Sequence, residues 1–181
     1  PKLIFPGAFN PMHDGHVAMS ELAYKELNEE VFFEICIQNV DKPPLSYHQI
    51  KKTIDQFTDS KNWVLTKAGK FSDKAKLFPN STFIIGADTL VRIFDERFYA
   101  SRREMMEEFE IFNANNNNFL VFGREYKNKF IELNDIQVPD SIKSAFVSYR
   151  QKLRDITKTY NSKLSRQWND KNLRNHSSIY D

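Results

Sequence analysis

Residues 7–16 read Gly7-Ala8-Phe9-Asn10-Pro11-Met12-His13-Asp14-Gly15-His16. Before them stands a short apolar run, residues 2–5, closed by Pro6-Gly7, the pattern of a buried strand that meets a turn. After them, between Gly15 and about Asn28, the apolar residues Val17, Leu22, Ala23 and Leu27 recur at roughly helical spacing. The segment therefore joins a strand to a helix, and two glycines and two histidines fall in the junction.

The same alternation continues along the chain. Residues 31–37 are rich in β-branched and aromatic side chains and read as a second strand. Asp41-Lys42-Pro43-Pro44 must be loop, because paired prolines exclude both helix and central strand. Ser46 is placed to cap a helix running to about Phe57. Residues 63–66 and 82–85 are further strand candidates, the latter ending at Gly86, with Asp88 opening a helix to about Phe94. A charged helix is expected over 102–112, a polar loop over 115–118, a fifth strand over 119–122, and largely helical structure over 141–174. Strands alternating with helices predict an α/β fold, a Rossmann-like doubly wound parallel sheet of about five strands with helices on both faces and a helical C-terminal region. One domain over 1–181 is expected, with a core at 1–124 and a mostly helical part at 125–181. In such sheets ligands lie beyond the carboxyl ends of the strands, which directs attention to residues 7–16, 39–45, 86–88 and 123–124.

Composition bounds the function class. Hydrophobic residues are 40% and charged residues 28% of the chain, a globular rather than a disordered balance. No apolar run approaches the ~20 residues of a membrane helix, and no basic stretch leads a long apolar one as in a signal peptide. A cytoplasmic location is expected, in keeping with the single cysteine, Cys36, which reads as a small buried core residue. The chain opens on Pro1 rather than Met, as a processed chain or a domain of a longer protein would. Residues 1–149 carry 18 basic and 21 acidic groups, whereas 150–174 carry eight and two. That basic stretch reads either as a solvated helix face or as an attractor of phosphates or nucleic acid.

The chemistry is sought in the first junction. Gly7 allows a turn at the strand end, and Gly15 lets a ligand approach the backbone. His13 and His16 share a face if they open a helix, and a helix N-terminus presents N–H groups and positive potential suited to phosphates. Ordinary structural histidines, a zinc pair and a nonspecific phosphate-binding loop are the competing readings. The zinc reading lacks a nearby third ligand.

The segment resembles the G-x-F-x-P-x-H-x-G-H signature of the nucleotidyltransferase superfamily. That group includes nicotinamide and nicotinate mononucleotide adenylyltransferases, phosphopantetheine adenylyltransferase and several cytidylyltransferases. Ile84-Ile85-Gly86-Ala87-Asp88-Thr89-Leu90 resembles the I-G-A-D-x-L of the pyridine-mononucleotide enzymes. The resemblance implies attack of a substrate phosphate on the α-phosphorus of a nucleoside triphosphate, with release of pyrophosphate. It implies ATP and a small phosphorylated substrate as partners, a pyridine mononucleotide favoured, and Mg²⁺ held by the substrate phosphates without dedicated protein ligands. Neither a membrane nor nucleic acid is expected as partner.

Carried onto this chain, the resemblance makes His13, His16 and Lys42 the catalytic candidates. Gly7, Ala8, Phe9, Asn10, Gly15, Gly86, Asp88 and Arg124 become the nucleotide-binding ones. Asp88 reads either as a helix N-cap or as an acceptor for substrate hydroxyls, and Lys42 as a phosphate ligand or a solvated lysine. Phe94, Phe98 and Tyr99 are core aromatics or a stacking surface for a nicotinamide ring. The family's late I-S-S-T-x-x-R segment has only Ser177-Ser178-Ile179-Tyr180-Asp181 as counterpart, with Ile179 at the threonine position and Arg174 upstream. The expectations that follow are truncation, a different triphosphate contact or lost activity. The rivals to an adenylyltransferase are a cytidylyltransferase acting on an alcohol phosphate and a catalytically degraded nucleotide- or RNA-binding module.

Overall fold

The computed structural model describes residues 3–38, 43–57, 61–140 and 142. Five strands, β1 (Leu3–Pro6), β2 (Val31–Cys36), β3 (Asn62–Thr66), β4 (Thr82–Gly86) and β5 (Asn118–Phe122), form one sheet in the order β3-β2-β1-β4-β5. Every pairing is parallel. The chain builds outward from β1 to β3, returns past β1, and builds out to β5 on the other side. The switch in direction lies between β1 and β4, where a doubly wound sheet leaves a crevice at the carboxyl ends of its strands. Gly7 follows one of these strands and Gly86 ends the other, so both motifs border that crevice.

Strands β1, β4 and β5 are apolar because helices cover both faces of the sheet. Leu3, Ile4, Phe83, Ile84, Ile85, Phe119, Leu120 and Val121 are all at most 2% exposed. Helix α1 (Asp14–Leu27) buries Met19 and Ala23 and stops at Asn28, whose left-handed backbone (φ 51°) returns its N–H to the Tyr24 carbonyl. Helix α2 (Tyr47–Ile54) has the expected start: Ser46 Oγ accepts from Gln49 N–H, and Gln49 Oε1 accepts from Ser46 N–H. Helices α4 (Ala87–Ile93) and α5 (Arg102–Ala114) lie where the sequence places them, the latter capped by Ser101.

Three features depart from the sequence reading. Helix α3 (Phe71–Leu77) was not anticipated; it is short, its N-cap is Lys70 with no side-chain cap, and its buried residues include Ser72 and Lys74. A β-hairpin, β6 (Arg124–Tyr126) and β7 (Lys129–Ile131), opens the region expected to be mostly helical. Its turn residues Lys127 and Asn128 are both left-handed (φ 50° and 61°), the geometry that matches strand twist in a two-residue connection. The helical expectation for 141–174 lies outside the described residues, apart from residue 142. Within the polar run 115–118, Asn118 belongs to β5, while Asn117 is buried and donates to the Phe78 and Ser81 carbonyls. That run sits at the amino ends of β4 and β5, on the opposite edge of the sheet from Gly7 and Gly86.

A charged network is buried between β2, β3 and α3. Lys74 Nζ donates to both carboxylate oxygens of Glu34 (2.9 and 2.8 Å) and to the Ala68 carbonyl (2.6 Å), and Thr66 Oγ1 donates to Glu34. Glu34 is fully buried and Lys74 nearly so. The Glu34 main-chain carbonyl accepts from Gly7 N–H at 3.0 Å, which ties the network to the start of the first junction. Cys36 is buried as expected, its thiol directed to the Gln38 and Ala68 carbonyls.

Candidate active site

The first junction leaves β1 at Gly7 and turns inward at Phe9, a non-glycine residue with φ of 44°. Aromatic packing holds that conformation. The Phe9 ring lies edge-on to Phe5, His16, Phe33 and Phe57, with centroids 5.5, 5.1, 5.3 and 5.8 Å away. Gly7 is required by this ring rather than by its own backbone angle, because a Cβ there would stand 2.6 Å from Phe9 Cζ. Ala8 and Asn10 are exposed on either side of Phe9, and the Asn10–Pro11 peptide is cis.

His13 is the N-cap of α1 and His16 its third helical residue. Their rings stack at 3.7 Å with 22° between planes. The N–H of His13 donates to His16 Nδ1 at 3.3 Å. An Nδ1 that accepts cannot carry the proton, so in the neutral ring the hydrogen sits on Nε2. Burial first, then the neighbouring His13, then Arg124 push the His16 pKa down from 6.5 to about 4. At neutral pH His16 is therefore a neutral imidazole with an Nε2–H donor at the positive end of a 14-residue helix. Gly15 is the second residue of α1 and has no left-handed backbone.

The second motif faces the first across the crevice. Gly86, not Asp88, is the N-cap of α4. Asp88 lies in the first turn, and its Oδ1 is 3.6 Å from Arg124 Nε at the start of β6. A Cβ on Gly86 would meet the Asp88 carboxylate and stand 2.9 Å from Arg124 Cγ, so glycine makes room for both side chains. Arg124 is also near enough to lower the His16 pKa, which links β1, β4 and β5 through their following residues.

The structure thus gathers Gly7, Phe9, His13 and His16 on one side and Gly86, Asp88 and Arg124 on the other. Lys42 lies outside the described residues, as do Arg174 and Ser177-Ser178-Ile179. Among the described residues, no three His, Cys, Asp or Glu side chains cluster as metal ligands, and no helix is long and apolar enough to cross a membrane. Phe94 and Tyr99 pack on Phe109, and the Tyr99 hydroxyl donates to the Ile93 carbonyl at 2.7 Å. Of the three aromatics considered for stacking, Phe98 alone is exposed, with the Arg92 guanidinium 5.3 Å from its ring centre.

The sequence reading missed the supports of the junction. Gln56, just past α2, accepts from Met12 N–H at 2.8 Å and donates to the Phe9 carbonyl at 2.9 Å. Phe57 beside it packs on Phe9 and Phe33. No local pattern marks a contact that spans 47 residues. No curated protein matches the chain at a significant level. The cytidylyltransferase-like family model does match it, over residues 4–175, and the chain belongs to that nucleotidyltransferase family.

Proposed function

We propose that the protein transfers AMP from ATP to nicotinamide or nicotinate mononucleotide and releases pyrophosphate. The observation that carries this reading is the meeting of two segments at the switch between β1 and β4. One is the junction bearing His13 and His16; the other is the Gly86–Asp88 turn, whose sequence resembles the pyridine-mononucleotide enzymes.

The chemistry needs no covalent nucleophile. A phosphate oxygen of the mononucleotide attacks the α-phosphorus in line, one P–O bond forms, the bond to the β-phosphate bridge breaks, and the electron pair leaves with pyrophosphate. The protein contributes orientation and charge stabilisation. His16 Nε2–H donates to a non-bridging α-phosphate oxygen as its charge grows, and His13 contacts the remaining phosphates. Arg124 adds positive charge from the far side of the crevice, and Lys42, which follows β2 in the sequence, is a second source of it. Gly7, Ala8, Phe9, Asn10 and Gly15 shape the nucleotide side, and Asp88 accepts from hydroxyls of the bound nucleotides. Mg²⁺ carried on the triphosphate would supply further positive charge against the phosphates.

The test is pyrophosphate release from ATP or CTP, with Mg²⁺, paired with each pyridine mononucleotide, phosphopantetheine and simple alcohol phosphates. Release with ATP and a pyridine mononucleotide is the expected result. Release only with CTP and an alcohol phosphate would keep the mechanism and replace both substrates.

A further inference from the structure

The sharp turn from β1 to α1 is not held by its own residues alone. Between Phe9 and His13 the chain carries Asn10, Pro11 and Met12, and the main-chain groups that flank this stretch are met by one side chain from elsewhere. Gln56 Nε2 donates to the Phe9 carbonyl at 2.9 Å, and Gln56 Oε1 accepts from Met12 N–H at 2.8 Å. The two contacts fix the amide's orientation, since the flipped amide would face N–H with NH₂ and carbonyl with carbonyl. Gln56 is itself anchored, its N–H donating to the Thr53 carbonyl and its Nε2 also reaching that carbonyl at 3.3 Å. Helix α2 ends two residues earlier, at Ile54.

We propose that Gln56 is a positioning residue for phosphate transfer, an amide clamp that sets residues 9–12 so that His13 and His16 face the triphosphate. The inference rests on the reading of residues 7–16 as a triphosphate site. Its logic is chemical. A transfer that relies on positioning loses rate when the donor is displaced by about 1 Å, on the order of a hundredfold. Only a side chain with one donor and one acceptor at fixed spacing can hold both main-chain groups. Glutamate has the right length but sets an oxygen against the Phe9 carbonyl. The clamp also holds the end of α2 against the junction, where Phe57 packs on Phe9.

The full chain as wild type, Gln56→Ala, Gln56→Glu and Gln56→Met is titrated calorimetrically with Mg²⁺·ATP and Mg²⁺·CTP. Tm, pyrophosphate release and the NMR titration of the His16 imidazole are followed in parallel. The expected result is affinity for the preferred triphosphate weakened at least about tenfold in every variant, and kcat lowered by up to about a hundredfold. The His16 midpoint is expected to shift toward the ordinary histidine value in molecules that remain folded. Folded variants with wild-type affinity, turnover and His16 midpoint would overturn the proposal and leave Gln56 a structural residue. If the wild type binds a triphosphate yet turns over no acceptor, the proposed reaction fails while the affinity ratio still decides the role of Gln56. If it binds neither triphosphate, both fail. Should the variants not fold, amide hydrogen exchange of wild-type Met12 decides: protection is expected, and exchange at the rate of an open loop would overturn the clamp.

Discussion

The backbone N–H of His13 donates to the Nδ1 of His16 at 3.3 Å while the two rings stack at 3.7 Å. One residue thus sets the tautomer of the other, leaves the proton on Nε2, and helps to keep that ring uncharged.

A pH signature follows from this pair. The folded His16 pKa of about 4 lies below its ordinary 6.5, because of burial, the neighbouring His13 and Arg124 in that order. Between those pH values the unfolded chain binds more protons than the folded one. The stability linked to His16 is complete above about pH 6.5 and is lost as pH falls through about 4. NMR titration of the free protein is expected to give a His16 midpoint near 4, moved upward by a bound triphosphate whose negative charge favours the imidazolium. A midpoint at 6.5 that ignores the triphosphate would contradict both the burial and the contact.

Gly7→Ala tests the packing beneath the junction. The new Cβ would stand 2.6 Å from a Phe9 ring hemmed in by Phe5, His16, Phe33 and Phe57, so the ring has nowhere to retreat. Overpacking of this kind costs about 1–3 kcal/mol, and the displaced ring carries His16 with it. Denaturant unfolding should show the loss, together with reduced turnover. Wild-type stability would mean that the junction yields more freely than its aromatic cage implies.

Asp88→Ala separates a binding role from a structural one. The Asp88–Arg124 pair is partly exposed at 3.6 Å, and such pairs contribute about 0–1 kcal/mol. Thermal stability should barely move, while KM or kcat for the mononucleotide changes. An unaltered kinetic profile would leave Asp88 as a partner of Arg124 and nothing more.

Lys74→Met strands a buried charge. Glu34 is 0% exposed and its carboxylate is satisfied by Lys74 and Thr66, so removal of the ammonium leaves an uncompensated anion at a cost of about 3–5 kcal/mol. Adding Glu34→Leu should recover much of that loss. A double variant as unstable as Lys74→Met alone would mean that the network contributes packing rather than charge compensation.

Much of the fold is legible in the sequence because its strongest signals are local. The apolar runs that became β1, β2, β4 and β5, the Ser46 capping box and the Gly-flanked histidines each declare themselves within a few residues. Helix α3 does not, since part of its buried face is the polar pair Ser72 and Lys74, whose partners Glu108 and Glu34 lie far away in sequence. The hairpin is hidden because Lys127, not glycine, takes the first left-handed position of its turn. In the candidate site the two motifs are readable, but their relation is not. Asp88 becomes the partner of Arg124 instead of a cap only because β4 and β5 are neighbours, and Gln56 reaches Phe9 only because the end of α2 packs against the first junction.

The most direct test of the central claim is pyrophosphate release by wild type and His16→Ala, side by side, with Mg²⁺, ATP and a pyridine mononucleotide. The account predicts turnover by the wild type and a loss of about 100–1,000-fold in kcat on removing the imidazole donor, with the fold intact by circular dichroism. An unchanged kcat in the folded variant would contradict it.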